Sequence, residues 1–444
     1  MIFVAKFLPL LNKRKGMTSL EHDKIVALIR REVILSIGCT EPMAVSLCVA
    51  KACEVLGERP QNMEVALSAN IFKNAMGVGI PNSGMTGLPI AVALGAVAGH
   101  SEYGLEVLRD VDAAAVAEAK AFLAEVKPSI FVTDESDDIL FIKATVGTKS
   151  DSAEVVISGS HTNFSSIRRN GEELAANVAT ASAVAEEESL SLTLRKVYDF
   201  AEEVPLEKIE FLEEAVERNV SAAKLSFTGE YGHGLGKMLH SESSYAIFGD
   251  TLFTDILAHT SGACDARMSG AMVPIMSNSG SGNQGISATV PVARFAKARG
   301  VGREELLRAL VLSHLTVIYI KESLGRLSAL CGCVVAATGS ACGITRLMGG
   351  GFAEVSGAVK NMVANLTGMI CDGAKPSCSL KVTSGVATAV LSATLAMNER
   401  VTTPLEGIIE EDVDNCIRNL TEIGRNGMSE TDRLILKIMT TKES

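Results

Sequence analysis

Several things are scarce in this chain, and each scarcity removes a class of function. Positive charge is outnumbered: 41 Lys and Arg stand against 52 Asp and Glu, a formal net charge of −11. A surface of that sign disfavours nucleic acid or an anionic membrane as the main partner. Long apolar runs are missing. The longest, Met85 to Gly99, is broken by Pro89 and three glycines and is too short for a bilayer span, so it reads as a buried helix. The opening MIFVAKFLPLLNKRKG places its charges after its apolar residues, the reverse of a secretory signal. Residues 1–16 therefore read as an N-terminal extension before Met17, and the expected compartment is the cytoplasm, where thiols stay reduced. Finally, no Cys-x-x-Cys knuckle occurs, which argues against an ordinary structural zinc site.

What is present is a 444-residue chain that is 47% hydrophobic, with 39 glycines scattered rather than repeated. That describes a packed globular protein larger than one compact domain. From His22 to Ile37, apolar residues recur at spacings of three and four and predict a helix. It halts at Gly38-Cys39-Thr40-Glu41-Pro42, where Gly38 suits a C-terminal cap, Thr40 an N-cap and Pro42 the first turn of a second helix. Cys39 would then sit at a helix N-terminus, whose partial positive charge favours a thiolate. The competing reading is a junction cysteine with no role. Cys48 and Cys53 fall inside the second helix and read as core.

Met63 to Ala69 alternate as a strand leading to Lys73 and Asn74 beside a glycine-rich loop. These two could hold a substrate carboxylate, or Lys73 could simply be solvated. A helix over Ala113 to Glu125 precedes strands near 129–133, 139–146 and 153–158, expected as an antiparallel meander closed by Gly159-Ser160-His161-Thr162-Asn163. His161 is a candidate base or a turn residue. Beyond Glu188 strand signals fade, and Pro205 is expected to open a helix through Ile209, Leu212 and Val216. The fold class is α+β: a small mixed or antiparallel sheet with helices in 17–188, carrying the Cys39 motif, and a mostly helical catalytic region in 189–444.

Two features of the helical region point to a site. Ser277-Asn278-Ser279-Gly280-Ser281-Gly282-Asn283-Gln284-Gly285 is the most polar, glycine-dense loop in the chain, and its backbone amides suit an anion. Asp265 and Arg267 upstream could support it, or form an ordinary ion pair. The second is a concentration of thiols. Cys331, Cys333, Cys342, Cys371 and Cys378 make half of the ten cysteines in one window. Scattered thiolates of this kind suit an iron-sulfur cluster better than zinc. Cys416, on an acidic terminal helix, reads as incidental.

Together, Gly38-Cys39-Thr40-Glu41-Pro42, the SNSGSGNQG loop, LCGC at 330–333 and CDGAKPSC at 371–378 resemble the L-cysteine desulfidase family, a branch of the iron-sulfur L-serine dehydratase superfamily. The resemblance runs from about Leu20 to the final helix. It implies conversion of L-cysteine to pyruvate, ammonia and sulfide with a [4Fe-4S] cluster held by three cysteines, a role that falls on Cys331, Cys371 and Cys378. Cys333 and, more weakly, Cys342 are rivals to Cys331. Where the serine branch has a histidine, this chain has Cys39, as general base or as resting-state fourth iron ligand. Ser279, Ser281 and Asn283 become candidates for binding substrate, with Lys73 and Asn74 reaching in from the first region. A homo-oligomer is compatible with this reading.

Three rivals remain open. An iron-sulfur L-serine dehydratase would use the same elimination on a hydroxyl. A pyridoxal-phosphate enzyme would use the glycine loop as a phosphate cup, but no Schiff-base lysine is singled out. A non-enzymatic iron-sulfur or zinc sensor would need an output module, and no basic recognition helix or aromatic surface cluster is evident.

Overall fold

The computed structural model describes residues 17–175, 190–325 and 328–441. The expected extension over 1–16 and the boundary near 188 lie outside these residues. The chain begins with α1 (Ser19–Glu32), β1 (Leu35–Ile37), α2 (Thr40–Leu56), β2 (Asn62–Leu67) and α3 (Ala69–Ala75). A short hairpin, β3 (Gly79–Ile80) and β4 (Met85–Thr86), leads to α4 (Leu88–Ala98). Then come α5 (Ala113–Val126), β5 (Ser129–Val132), β6 (Phe141–Gly147), β7 (Ser152–Ser158), β8 (Phe164–Arg169) and β9 (Glu172–Ala175).

α1 starts at a capping box in which Thr18 and Glu21 satisfy each other's backbone amides. It stops at Glu32, five residues short of the expected end. Leu35–Ile37 instead pair antiparallel with a distant strand, Leu35 opposite Met276 and Ile37 opposite Pro274. Apolar spacing alone does not separate a last helical turn from a short strand, and the tertiary partner decides. Gly38 is consequently no helix cap but a left-handed link at φ 68° between β1 and α2. The N-cap of α2 is Cys39 itself, with Thr40 the first helical residue.

The six-stranded sheet runs β5-β2-β6-β7-β8-β9. β2 pairs parallel with β5 and antiparallel with β6, so the expected three-strand meander is split by an earlier strand. Alternation specifies which face of a strand is buried, not which strand lies beside it. The turn at 159–163 does not close the sheet; it connects β7 to β8. β8 and β9 escape the sequence pattern because they are charged and half-exposed, β9 forming the edge of the sheet, with Arg168 of β8 bridging Glu154 and Glu173. α2 lies across β6 and β7, where the Cys48 thiol reaches the Val155 carbonyl at 3.2 Å. α4, the buried helix expected from Met85 to Gly99, packs on α2. Gly95 permits this, since a Cβ there would lie 2.7 Å from the Ser46 carbonyl.

The helical body comprises α6 (Leu194–Glu203), α7 (Leu212–Thr228), α8 (Leu235–Leu239), α9 (Glu242–Phe248) and α10 (Leu252–Met268), then the short strand β10 (Pro274–Met276). It continues with α11 (Gly282–Arg299), α12 (Arg303–Leu324), α13 (Gly332–Leu347), α14 (Phe352–Leu366), α15 (Cys378–Met397), α16 (Val413–Glu422) and α17 (Ser429–Thr441). Pro205 opens only a 3-10 turn, Leu206–Lys208, before α7. α10 to α13 are buried on nearly every side, although they carry many hydroxyls. Thr260, Thr289, Thr316, Thr338 and Thr345 each donate to the carbonyl one turn back, which removes the cost of burying them. α13 runs through the centre, and a Cβ on its Gly339 would lie 2.4 Å from the Ser313 carbonyl of α12. α15 has the length and composition of a membrane span, but 44% of its apolar window is buried inside the fold. α1 buries Ile25, Leu28 and Ile29 in the core of the helical body, whereas the sheet region has a separate core built on α2 and α4.

Candidate active site

Cys39, Lys73, Asn74, Ser279, Ser281, Asn283, Cys331, Cys371 and Cys378 all reach one cavity of about 120 Å³, with Glu41, Arg267, Gln284 and Cys333 also among its lining. Three local constructions bring them there.

The first fixes the glycine loop to the start of the chain. The β1–β10 pairing is extended by Ser277, which donates its amide to the Ile34 carbonyl at 2.8 Å, and by Ser279, whose amide reaches the Glu32 carbonyl at 3.0 Å. Ser279 takes a left-handed φ of 48°. The loop is pinned from beneath by His314, a residue the sequence reading missed. Asn278 donates through Nδ2 to His314 Nδ1 at 2.9 Å, and the ring's other nitrogen lies 3.0 Å from Thr289 Oγ1. Burial lowers this histidine to about 4, so it is neutral and donates from Nε2. Ser281 caps α11, which places Asn283 in its first turn.

The second construction joins two cysteine loops. The Cys331 amide donates to the Met369 carbonyl at 2.9 Å and the Cys371 amide to the Ala329 carbonyl at 2.6 Å, around a bridge between Leu330 and Ile370. Cys331 is the N-cap of α13, and Cys378 is the first residue of α15. Between Cys371 and Cys378, Asp372 is drawn down to about 2: burial opposes its charge, but hydrogen bonds from Lys375 and Lys381 prevail. Cys331 accepts a hydrogen bond from the Cys333 thiol, which pulls Cys331 below the ordinary thiol range and pushes Cys333 far above it. Cys342 lies elsewhere, buried in α13 and raised to about 12 by burial.

The third brings the sheet region against the helical body. Lys73 and Asn74 sit on a short helix, α3, rather than at the strand end, and are 2% and 8% exposed, so Lys73 is not the solvated lysine of the competing reading. Gly373, at φ 89°, packs on the Lys73 backbone, where a Cβ would lie 2.1 Å from the carbonyl oxygen. Lys73 Nζ lies 2.5 Å from Asp432 of α17. Nothing in the sequence linked these residues, which are 359 positions apart.

Cys39 faces the three thiols from the N-terminus of α2, and its Sγ donates to Glu41 Oε2 at 3.0 Å. Burial, and then Glu41, push its thiol far up, with Arg267 opposing. The expected thiolate is therefore not the ground state here: the helix terminus is outweighed by desolvation and a neighbouring carboxylate. Asp265 and Arg267 do not form the ordinary ion pair. Asp265 accepts from the Gly236 amide at 3.0 Å, while Arg267 Nη1 donates to Asn283 Oδ1 at 3.2 Å. His161 stays outside, on a neighbouring cleft with Arg31 and Ser277.

Among the described residues, no three His, Cys, Asp or Glu side chains converge tightly enough for a single metal ion. Cys331, Cys371 and Cys378 instead surround a cavity and influence one another electrostatically. That donor set fits a cluster, whose iron atoms spread the ligating sulfurs apart, better than a lone cation.

A sequence model of the serine dehydratase alpha chain matches residues 102–437. Relatives span nearly the whole chain. A UPF0597 protein of Bacteroides fragilis is 60% identical over 426 residues, covering 96% of this chain and 100% of the relative. UPF0597 proteins of Porphyromonas gingivalis and Oleidesulfovibrio alaskensis are 49% and 42% identical over 428 and 424 residues, each covering 95% of this chain and 99% of the relative. The fold and the match define a serine-dehydratase-like lyase. The chain belongs to the serine dehydratase alpha chain family.

Proposed function

We propose that this protein is an L-cysteine desulfidase, which eliminates sulfide from L-cysteine and yields pyruvate and ammonia. The observation that carries the reading is the convergence of Cys39 with four further thiols, those of Cys331, Cys333, Cys371 and Cys378, on a cavity that also holds Lys73, Asn74 and the polar glycine loop. Cys331, Cys371 and Cys378 would hold a [4Fe-4S] cluster, which would supply Lewis acidity toward the substrate's leaving group. The main-chain pairing that holds the Cys331 loop beside the Cys371 loop favours Cys331, at the N-cap of α13, over Cys333 inside that helix as the ligand.

The remaining work falls to the chain's own side chains. The α-proton is taken at Cys39 Sγ, and Cys39 passes its own proton to Glu41 Oε2, 3.0 Å away. Loss of sulfide then leaves aminoacrylate, which tautomerises and takes up water to give pyruvate and ammonia. The family match supports a second reading, elimination from L-serine on the same architecture.

The test is to purify the protein anaerobically, supply L-cysteine and L-serine separately, and measure sulfide and pyruvate before and after iron chelation. Equal sulfide and pyruvate from cysteine, abolished by chelation, is the expected result. Pyruvate from serine alone would replace the desulfidase reading with the dehydratase one, and no product from either would favour a metal sensor.

A further inference from the structure

Among the described residues, three cations line the cavity: Lys73, Arg267 and Lys321. Lys73 is engaged by Asp432. Arg267 differs. It is 3% exposed, and among the described residues no carboxylate lies within ion-pairing distance of its guanidinium. Nη1 is held by Asn283 Oδ1 at 3.2 Å and lies 3.9 Å from the Met268 sulfur. Nε is enclosed and donates to nothing, and Nη2 has no protein acceptor among the described residues. A guanidinium nitrogen left without an acceptor is a charge-assisted donor for a carboxylate. The Gly282 backbone packs against Nε, where a Cβ would lie 2.2 Å away, so Nη2 is the nitrogen left for a ligand's carboxylate. On the same stretch, Gln284 is 4% exposed and its Oε1 is enclosed without a donor.

A buried guanidinium without an anion is costly, because desolvation removes several kcal/mol that only a counter-charge restores. An orphan donor and an orphan acceptor in one small cavity describe the two ends of an α-amino acid. We propose that Arg267 binds the α-carboxylate of the substrate and that the Gln284 carboxamide accepts from its α-ammonium, so that the cavity selects zwitterionic amino acids. Ser279, Ser281 and Asn283 then shape the site and orient Arg267 rather than carrying the carboxylate. The inference rests on the amino-acid lyase reading but not on which leaving group is eliminated.

The test compares two ligands that cannot be eliminated, L-alanine and L-alaninamide, which differ only in whether a carboxylate is present. Affinities are measured by calorimetry on the anaerobic, iron-loaded protein. The wild type is expected to bind L-alanine about 10- to 100-fold more tightly, the range of a charge-assisted hydrogen bond. Arg267→Gln should erase that gap while leaving iron content and the cluster's absorption spectrum unchanged, and Arg267→Lys should restore only part of it. A wild type that does not discriminate overturns the proposal even if the variants fail to fold. So does a gap that survives in Arg267→Gln, or a variant that loses iron but keeps the gap, which would make the arginine a charge balance for the thiolates. Failure of the elimination assay with an Arg267-dependent gap would sink the desulfidase reading and leave this inference standing. Sulfide release without any gap would do the reverse.

Discussion

The two walls of the cavity are held by different means. On the helical wall, Cys331 and Cys371 are fixed by main-chain hydrogen bonds between two loops, and Cys378 is locked into the first turn of α15. On the sheet wall, Cys39 and Lys73 meet the cavity through side chains whose partners, Glu41 and Asp432, are also side chains. Main-chain pairing fixes position whatever the protonation state, whereas side-chain pairs shift with charge. A cluster needs fixed ligands and a proton-transfer group needs adjustable ones, so the division follows the chemistry proposed for each wall. The helical wall also lies within the span matched to the serine dehydratase alpha chain, while Cys39, Lys73 and Asn74 precede it. Leaving-group preference is therefore most reasonably sought on the sheet wall.

The largest effect should come from removing one thiol on each side. Cys371→Ser is expected to lose iron and all turnover, because a hydroxyl is a poor ligand for a cluster. Cys39→Ala is expected to keep its iron and lose about 10²- to 10⁴-fold in kcat, the usual contribution of a positioned acid or base. Iron quantitation and steady-state rates on the two variants decide the matter. If Cys39→Ala also lost iron, Cys39 would be a ligand and the two walls would not differ in kind.

A smaller effect tests the rigidity of the helical wall through His314. Its folded value near 4 lies below the ordinary 6.5 because the ring is buried. Between those values the unfolded chain binds the extra proton and the folded protein does not. Stability is therefore complete above about pH 6.5 and falls as pH drops toward 4. The total loss from this residue is about 3 kcal/mol. Denaturant unfolding at pH 7 and pH 4.5 should show the fall in wild type, and His314→Gln should flatten it. An equal slope in the variant would mean that other groups set the acid sensitivity.

How much of this was legible in sequence depended on whether the signal was local. Thiol density, the glycine loop, the periodicity of α1 and the apolar run of α4 are local, and Cys331, Cys371, Cys378, Ser279, Ser281 and Asn283, chosen from the first two, line the cavity. What could not be seen was set by distant partners. Leu35–Ile37 became a strand because Pro274–Met276 lie beside them. His314 pins Asn278 from inside an apolar helix, where its spacing resembles any core position. Cys39 illustrates a different limit: its place at a helix end was readable, but the weight of burial against helix field was not, and burial won.

The smallest effect concerns the contact that joins the walls, Lys73 with Asp432. α17 buries only Ile435 among its side chains, so this ion pair carries much of its attachment to the fold. The partners are unequal: the Lys73 side chain is 3% exposed and that of Asp432 is 31% exposed. Removing the acid strands a buried cation, whereas removing the lysine leaves a carboxylate that water can reach. Breaking a fully buried pair costs about 3–5 kcal/mol, and an exposed one about 0–1. The intermediate burial here therefore predicts about 1–2 kcal/mol for Asp432→Asn and less for Lys73→Met. Unfolding of the two single variants and the double variant at neutral pH measures both the asymmetry and the coupling. Equal losses would show that the pair behaves as surface charge. A larger loss for Lys73→Met would mean that the lysine's own packing against the Cys371–Cys378 loop, not its charge, holds the sheet wall to the helical one.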